Sequence, residues 1–283
     1  MNYRHAFHAG NFADVVKHAV LTRILLHLLK KDTPFRVIDT HAGAAIYDLA
    51  SEEATRGGEW KDGIGRVIEA TFDPAAAALI APYLDAVRAV NPQGRLRRYP
   101  GSPSLIGSFL RPGDRLIACE IEPKAAGALI RHLGRDRRLK AIAIDGWTAL
   151  AAYIPPKERR GLVLIDPPFE ERNEFDRLAQ ALAAACRKWP EGLYLAWYPI
   201  KDARDTASFV RALSRSGIAR ILRIELTLAN PGAEGLRGSG LIAVNPPWTL
   251  ESELQSLLPA LARVLVPGRR GGVLLQWLAG RDR

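Results

Sequence analysis

The sequence has few cysteines and no long apolar run. Its two cysteines, Cys119 and Cys186, lie in apolar segments, so we interpret them as small core residues and not as a disulfide or metal ligands. The longest apolar stretches, such as residues 178–186, are far shorter than the roughly 20 residues that a membrane-spanning helix needs. The first residues also lack the apolar run of a signal peptide. These absences predict a cytoplasmic protein with no membrane partner.

Acidic residues are in the minority. The chain has 40 Lys and Arg against 30 Asp and Glu, which gives a formal net charge of +10. Such a charge favours a polyanionic partner, because phosphates bind basic side chains and release counterions. The basic pairs, such as Arg97-Arg98 and Arg269-Arg270, are scattered, so the sequence does not locate a basic surface. An arginine-rich composition without a binding role would produce the same charge, and that alternative stays open.

Segments that alternate between strand-like and helix-like patterns predict the fold class. Short apolar runs occur at residues 35–39, 115–120, 141–145, 162–166 and 193–197, with amphipathic segments between most of them. This alternation predicts parallel βαβ units and therefore an α/β fold with a Rossmann-like, mostly parallel sheet. Residues 221–228 and 241–244 predict a strand pair whose last strand runs antiparallel at the sheet edge. Residues 272–278 predict one more strand, without indicating where it pairs.

The first turn and the acid expected after it are unusually far apart. Asp39 and Glu120 are separated by 81 positions, whereas in a simple nucleotide-binding unit the acid follows after about 20 residues. We therefore predict a small helical subdomain inserted at residues 48–98. Residues 1–47 and 99–283 would form the Rossmann-like domain. Where the chain returns, Ser102 is predicted to be a helix N-cap.

Four successive strand-like runs each end in a carboxylate. These carboxylates are Asp39, Glu120, Asp145 and Asp166. In an open α/β sheet the ligand binds outside the carboxyl ends of the strands, so we expect the four side chains to converge there. Acidic residues also end strands as turn formers and helix caps. Four in a row nevertheless favours a shared site.

The segment Asp166-Pro167-Pro168-Phe169 has the chemistry of amine methylation. The exocyclic amine of an adenine is a weak nucleophile, because its lone pair is delocalised into the ring. A carboxylate and a backbone carbonyl that accept its two hydrogens localise this lone pair toward an activated methyl donor, for which S-adenosylmethionine is expected. The prolines fix the turn, and Phe169 offers a face on which the unpaired base stacks. This chemistry requires no metal, and no metal site is predicted.

A second segment, Asn245-Pro246-Pro247-Trp248, has the same form. It also follows a strand-like run. However, Asp166 ends the fourth parallel strand near the switch point, whereas Asn245 ends what is predicted to be the last strand. We therefore assign the catalytic role to Asp166 and a structural turn to Asn245.

The first turn, residues 39–45, contains one glycine and does not match the dinucleotide-binding pattern. One glycine is sufficient for a nucleoside that has no pyrophosphate. Glu120 is then expected to hold the ribose hydroxyls of the cofactor. Asp145 and Gly146 are expected to border its adenine.

Several segments together resemble the bacterial 23S ribosomal RNA adenine-N6 methyltransferase family, large-subunit methyltransferase J. The amino-terminal ones, residues 3–11 and 14–18, are highly specific, whereas the Asp-Pro-Pro-aromatic segment is shared with DNA adenine methyltransferases. The resemblance runs nearly end to end, including residues 39–44, 99–103, 197–199 and 245–248. It implies a class I methyltransferase sheet with an inserted helical subdomain. It also implies methylation of one adenine in 23S rRNA by a monomer, with the RNA free or partly assembled.

The resemblance also implies site residues. The cofactor contacts would be His18, His41, Ser102, Glu120, Asp145 and Gly146. Asp166 would be the catalytic acceptor, and Tyr3 would approach the RNA. Phe169 stands where the family often has Tyr, and Ala45 replaces a glycine of the first turn. A DNA adenine-N6 methyltransferase and a non-catalytic RNA-binding protein remain alternatives, although no separate target-recognition domain is apparent and RNA binding alone would not require four carboxylates.

Overall fold

The computed structural model describes residues 5–228, 236–266 and 271–280. The strands are β1 (Arg36–Asp39), β2 (Ile46–Asp48), β3 (Arg98–Pro100), β4 (Arg115–Cys119), β5 (Leu139–Ile142), β6 (Gly161–Ile165), β7 (Leu193–Ile200), β8 (Ile221–Thr227), β9 (Gly238–Val244) and β10 (Gly272–Ala279). The α-helices are α1 (Phe12–Leu29), α2 (Glu52–Gly57), α3 (Arg66–Glu69), α4 (Pro74–Ala89), α5 (Ser102–Phe109), α6 (Pro123–Leu133), α7 (Gly146–Tyr153), α8 (Glu174–Lys188), α9 (Ala203–Ser214) and α10 (Leu250–Leu265).

Eight strands form one mixed sheet in the order β10-β8-β9-β7-β6-β1-β4-β5. The five strands from β7 to β5 pair in parallel. The pairs β7 with β9, β9 with β8 and β8 with β10 are antiparallel. The predicted α/β fold, a mostly parallel Rossmann-like sheet with an antiparallel edge strand, is therefore confirmed.

The identity of the antiparallel edge strand was predicted wrongly. β9 lies between β7 and β8, and β10 forms the edge. All seven residues of β9 are buried, so this strand needs neighbours on both sides and helices on both faces. The residues of β10 alternate between exposed and half-buried, which suits an edge. An apolar run alone does not reveal which strand will pair with it.

Helix α1 lies at the centre of one side of the sheet. It is buried nearly all round because it packs against α4, α5, α10 and β9. Its first turn is capped by Asn11, whose side-chain oxygen accepts a hydrogen bond of 3.0 Å from the Asp14 amide. Among the described residues no single helix is long and apolar enough to cross a membrane, and only the pair Lys61–Glu69 and Pro74–Ala89, bent by 119°, meets that test.

The two ends of the segment predicted to be an inserted subdomain lie side by side. β2 and β3 pair antiparallel, with Tyr47 opposite Tyr99. Between them lie α2, α3 and α4, so the segment is helical as predicted. Its buried side chains, including Ile64 and Tyr83, pack into the same apolar cluster as those of α1. The subdomain boundaries at residues 48 and 98 stay a prediction.

Two local predictions need correction. Ser102 is not an N-cap: α5 begins at Ser102, and Gly101 is the capping residue, because the Gly101 carbonyl accepts the first helical hydrogen bond from Leu105. Asp145 does not end a strand, because β5 stops at Ile142. Asp145 instead caps α7.

Gly63 provides a test of how the helical segment packs on the start of α1. A β-carbon at Gly63 would lie 2.1 Å from the Gly10 carbonyl oxygen and 2.6 Å from the Asn11 carbonyl carbon. Gly63→Ala should therefore lower the free energy of unfolding by about 3 kcal/mol, because backbone must move to make room. Gly58→Ala is the matched control, since its β-carbon would meet nothing closer than 3.9 Å and only its φ of +65° is unfavourable. This control should cost about 1 kcal/mol. Urea unfolding measures both variants, and an equal loss of unfolding free energy in Gly63→Ala and Gly58→Ala would contradict the observed packing.

Candidate active site

The carboxyl ends of the parallel strands form one edge of the sheet. Because β5, β4, β1 and β6 are adjacent, the acids that follow them are arranged along this edge in the order Asp145, Glu120, Asp39, Asp166. A cavity of about 330 Å³ opens here, between this edge, the start of the chain and the helical segment. Its size is within the range of sites for small organic cofactors. We call it the edge cavity.

The edge cavity contains most of the predicted site residues. His18, His41, Ser102, Glu120, Gly146 and Asp166 all line it. The side chain of Asp145 has another task, because it accepts hydrogen bonds from the Thr148 amide at 2.8 Å and hydroxyl at 2.9 Å. Phe169 does not line the cavity but directly follows Pro168, which does. Tyr3 lies outside the described residues.

Glu120 is held in a fixed position by backbone amides. One carboxylate oxygen accepts a hydrogen bond from the Gly43 amide and the other from the Glu122 amide, both at 2.8 Å. Each oxygen can accept a second hydrogen bond. The neighbouring side chain, Ile121, is 51% exposed and lines the cavity with an apolar surface. This pairing of a fixed acceptor and an apolar surface suits the ribose and base of a nucleoside.

Gly146 allows the start of α7 to approach the first turn closely. A β-carbon at this position would lie 2.3 Å from the Thr40 carbonyl oxygen and 2.6 Å from Nε2 of His41. The His41 ring also forms a 2.8 Å hydrogen bond with the Thr40 hydroxyl. Burial lowers the pKa of His41 to about 4, so its ring is neutral at pH 7. Only glycine fits at position 146 without opening the cavity wall.

His18 is also neutral and is fixed by tyrosines. Its Nδ1 lies 2.7 Å from the Tyr99 hydroxyl, which in turn lies 3.0 Å from the Tyr83 hydroxyl. Burial lowers the pKa of His18 to about 3. Tyr83 and Tyr99 come from α4 and β3. The helical segment and its return strand therefore orient one wall of the cavity.

Lys17 is a site residue that the sequence analysis did not identify. It is only 4% exposed, and its ammonium donates hydrogen bonds to Asp14, at 2.8 Å, and to Asp166. Burial opposes the charged form, but the carboxylates of Asp14 and Asp166 outweigh it and raise the pKa of Lys17 above its ordinary value. Two carboxylates around one ammonium leave a net negative charge beside the cavity. This charge complements a cationic ligand.

A signal for Lys17 was present in the sequence. The helix that carries it is apolar on most sides, and a lysine in the middle of such a helix must be buried and therefore paired. His5 belongs to the same cluster of charged side chains as Lys17. In the structure its Nε2 lies 3.0 Å from the second oxygen of Asp14, which also accepts a hydrogen bond from the Gly10 amide.

The two acceptor-Pro-Pro-aromatic segments lie at opposite edges of the sheet. Asp166 follows β6 at the carboxyl edge. Val244, the last residue of β9, pairs with Tyr194 near the beginning of β7. Asn245 therefore lies on the opposite side of the sheet, where the parallel strands begin, which we call the amino edge. The side-chain amide of Asn245 donates to the carbonyls of Pro190, at 2.7 Å, and Gly192, at 2.9 Å. The second segment is thus remote from the edge cavity.

The lining residues fit an S-adenosyl cofactor better than a dinucleotide or a metal. Glu120 offers carboxylate oxygens that suit ribose hydroxyls, and the Asp14, Lys17 and Asp166 cluster offers negative charge that suits a cationic group. The first turn has no glycine-rich cradle for a pyrophosphate. In the part of the chain that the structure describes, no group of three or more His, Cys, Asp or Glu residues could hold a metal ion.

Asp39 gives the site a measurable pH dependence. It is fully buried beside Ser102, and burial raises its pKa from 3.8 to about 7. The folded protein therefore keeps a proton between about pH 4 and 7 that the unfolded chain releases, and stability falls as pH rises through this window. Asp39→Asn removes the effect. Without cofactor, the unfolding free energy of this variant minus that of wild type should rise by about 2.5 kcal/mol between pH 5 and 8. If the difference in unfolding free energy between this variant and wild type does not change with pH, the pKa of Asp39 is not raised in the folded protein.

Comparison with known proteins identifies the family. Residues 32–279 match the family described as ribosomal RNA large subunit methyltransferase D, RlmJ. The ribosomal RNA large subunit methyltransferase J of Escherichia coli (strain K12) is 39% identical over 279 residues, which cover 98% of this chain and 99% of that protein. The protein of the same name from Haemophilus influenzae is 38% identical over 280 residues, with the same coverage.

A solved structure agrees with this assignment. The crystal structure of protein LPL1258 from Legionella pneumophila superposes with a TM-score of 0.87 at 36% identity, and the match covers 95% of this chain and 98% of that one. The predicted family resemblance is confirmed. The chain belongs to the ribosomal RNA large subunit methyltransferase RlmJ family.

Proposed function

We propose that this protein transfers a methyl group from S-adenosylmethionine to the exocyclic N6 amine of an adenine in 23S rRNA. The observation that carries the proposal is the position of Asp166. This carboxylate follows a buried parallel strand, lies in a proline-fixed turn, and lines the same cavity as Glu120. The relatives named for action on large-subunit ribosomal RNA support RNA over DNA as the polymer.

The edge cavity would hold the cofactor. Glu120 would accept hydrogen bonds from the ribose hydroxyls, and Gly146 would let the adenosine approach the first turn. Asp145 would fix the start of α7 next to that adenosine. His18, His41 and Ser102 would contact the methionine end. When bound, S-adenosylmethionine supplies a methyl group on a cationic sulfonium, which the negative charge around Lys17 favours.

Asp166 would act on the target amine. Lys17 binds its Oδ2 and so leaves Oδ1 to accept one amine hydrogen. A backbone carbonyl of the turn would accept the other hydrogen, and the two prolines hold both acceptors still. These two acceptors would direct the nitrogen lone pair at the methyl group that the bound cofactor supplies. Positive charge develops on the nitrogen, the Asp166 carboxylate stabilises it, and the surplus proton is lost to water. Positioning and electrostatics do most of the work.

Phe169 would support the target base. Its backbone φ is +52°, and its ring is fixed by Phe175 at 4.8 Å and by an edge contact with Trp197 at 5.7 Å between centroids. Stacking on such a ring contributes about 1–3 kcal/mol per base. Tyr3 would approach the RNA from the start of the chain. We also propose that the enzyme acts as a monomer in the cytoplasm, on 23S rRNA that is free or partly assembled.

Asp166→Ala tests the catalytic assignment. Without the carboxylate the amine loses its acceptor, so single-turnover methyl transfer to an rRNA fragment should fall by at least about 100-fold. Asp166→Asn keeps the size and one weaker acceptor, so some turnover should remain. Circular dichroism at the assay temperature should show that both variants are folded, so that the loss of turnover reports on the carboxylate.

Asn245→Ala is the matched control at the opposite edge. It loses hydrogen bonds to two carbonyls and should be less stable, but its methylation rate per folded molecule should equal that of wild type. An active Asp166→Ala next to an inactive but folded Asn245→Ala would move the active site to the second segment.

A further inference from the structure

The two edges of the parallel sheet carry opposite charge. The loops that follow β1, β4, β5 and β6, which border the edge cavity, contain six acidic residues and one basic residue (residues 40–45, 120–122, 143–145 and 166–173). The loops that precede the same four strands contain ten basic and four acidic residues (residues 30–35, 110–115, 134–138 and 155–160). The excess basic charge of this part of the chain is therefore concentrated at the amino edge, away from the cavity.

The basic side chains of the amino edge form a continuous surface. Arg111 and Arg160 both donate to carbonyl oxygens at the end of α1, Arg111 to Lys31 at 2.9 Å and Arg160 to Thr33 at 2.7 Å. Both guanidinium groups lie within 6 Å of the centroid of the Phe35 ring between them. Because the strands pair side by side about 4.8 Å apart, the loops before β5, β4, β1 and β6 follow one another along this edge. We call these loops the amino-edge surface.

The second acceptor-Pro-Pro-aromatic segment extends this surface. Trp248 is 78% exposed, and the ammonium of Lys30 lies 5.8 Å from its ring centroid. The turn that presents it is rigid: Asn245 has a φ of +51°, its side chain is bound by two carbonyls, and two prolines follow. A rigid turn that holds a large aromatic ring in solvent, next to exposed lysines, is typical of a base-stacking contact.

We propose that the amino-edge surface, together with Trp248, is a second RNA-binding surface that docks a segment of rRNA remote from the target adenine. This inference rests on the proposed function, because it takes rRNA as the substrate. The loops that follow β1, β4, β5 and β6 are acidic and bind phosphates poorly, which favours an additional phosphate-binding surface elsewhere on the protein. Exposed arginines and lysines supply phosphate contacts, and Trp248 supplies a face for an unpaired base.

RNA fits this surface better than a protein partner does. The surface combines an excess of guanidinium and ammonium groups with the exposed ring of Trp248. Charged side chains are depleted at the centre of protein interfaces, so this composition suits a polyanion better than a protein. A polyanion with occasional unstacked bases matches both features.

Two variants of the whole protein test the proposal. Lys31→Ala/Arg137→Ala removes two exposed charges whose side chains bond to no described residue. Trp248→Ala removes the stacking face. Affinity is measured by fluorescence titration for a protein-free 23S rRNA transcript and for a short hairpin around the methylated adenine. Each variant should bind the transcript about tenfold more weakly, with hairpin affinity and cofactor affinity unchanged. The charge variant should also show a shallower dependence of transcript affinity on salt.

The matched control is Arg204→Ala/Arg211→Ala, which removes two exposed charges on α9 and should leave transcript affinity unchanged. The proposal is overturned if both amino-edge variants bind the transcript like wild type, or if they lose hairpin and transcript affinity equally. Binding is measured directly, so the two proposals can fail separately. A wild-type protein that binds both RNAs but methylates neither would count against the proposed function. The affinities of the variants would still show whether the amino-edge surface binds RNA.

Discussion

The buried ammonium of Lys17 constrains the whole site. A lysine that is 4% exposed must be paired, because leaving a buried charge without its partner costs several kcal/mol. Its two partners come from two different elements: Asp14 from the same helix and Asp166 from the turn after β6. The pairing therefore fixes the position of α1 against the turn that carries Asp166. It also fixes one oxygen of this proposed catalytic carboxylate and leaves the other without a contact to Lys17.

The same constraint explains why the helical segment lies beside the cavity. Asp14 holds the start of the chain through the Gly10 amide and His5, and that start is held in turn by the helical segment. The Ile64 amide donates to the Gly10 carbonyl at 2.8 Å, and Glu59 accepts a hydrogen bond from Asn11 at 2.9 Å. The amino-terminal turn, the helical segment and the turn that carries Asp166 thus form one connected network, with Lys17 at its centre.

Much of this architecture could be predicted from the sequence, where local patterns determine it. The alternation of strands and helices, the family, the fold class and the methyltransferase function are confirmed. The errors concern long-range pairing: the place of β9 depends on which strands cover it, and the role of Lys17 depends on a partner 149 residues away. The amino-edge surface could not be predicted from the sequence for the same reason, since its loops come together only when the strands pair. The roles of the individual site residues stay predictions.

A double-mutant cycle on Lys17 and Asp14 tests this account most directly. Single-turnover methyl transfer is measured at saturating cofactor for Lys17→Met, Asp14→Asn and the double variant, with circular dichroism as the check on folding. If Asp14 acts through Lys17, Asp14→Asn should slow the wild-type reaction but scarcely slow the Lys17→Met reaction further, with a coupling of about 1–3 kcal/mol. If Asp14→Asn slows both proteins by the same factor, the two residues act independently, and Lys17 does not link α1 to the catalytic carboxylate.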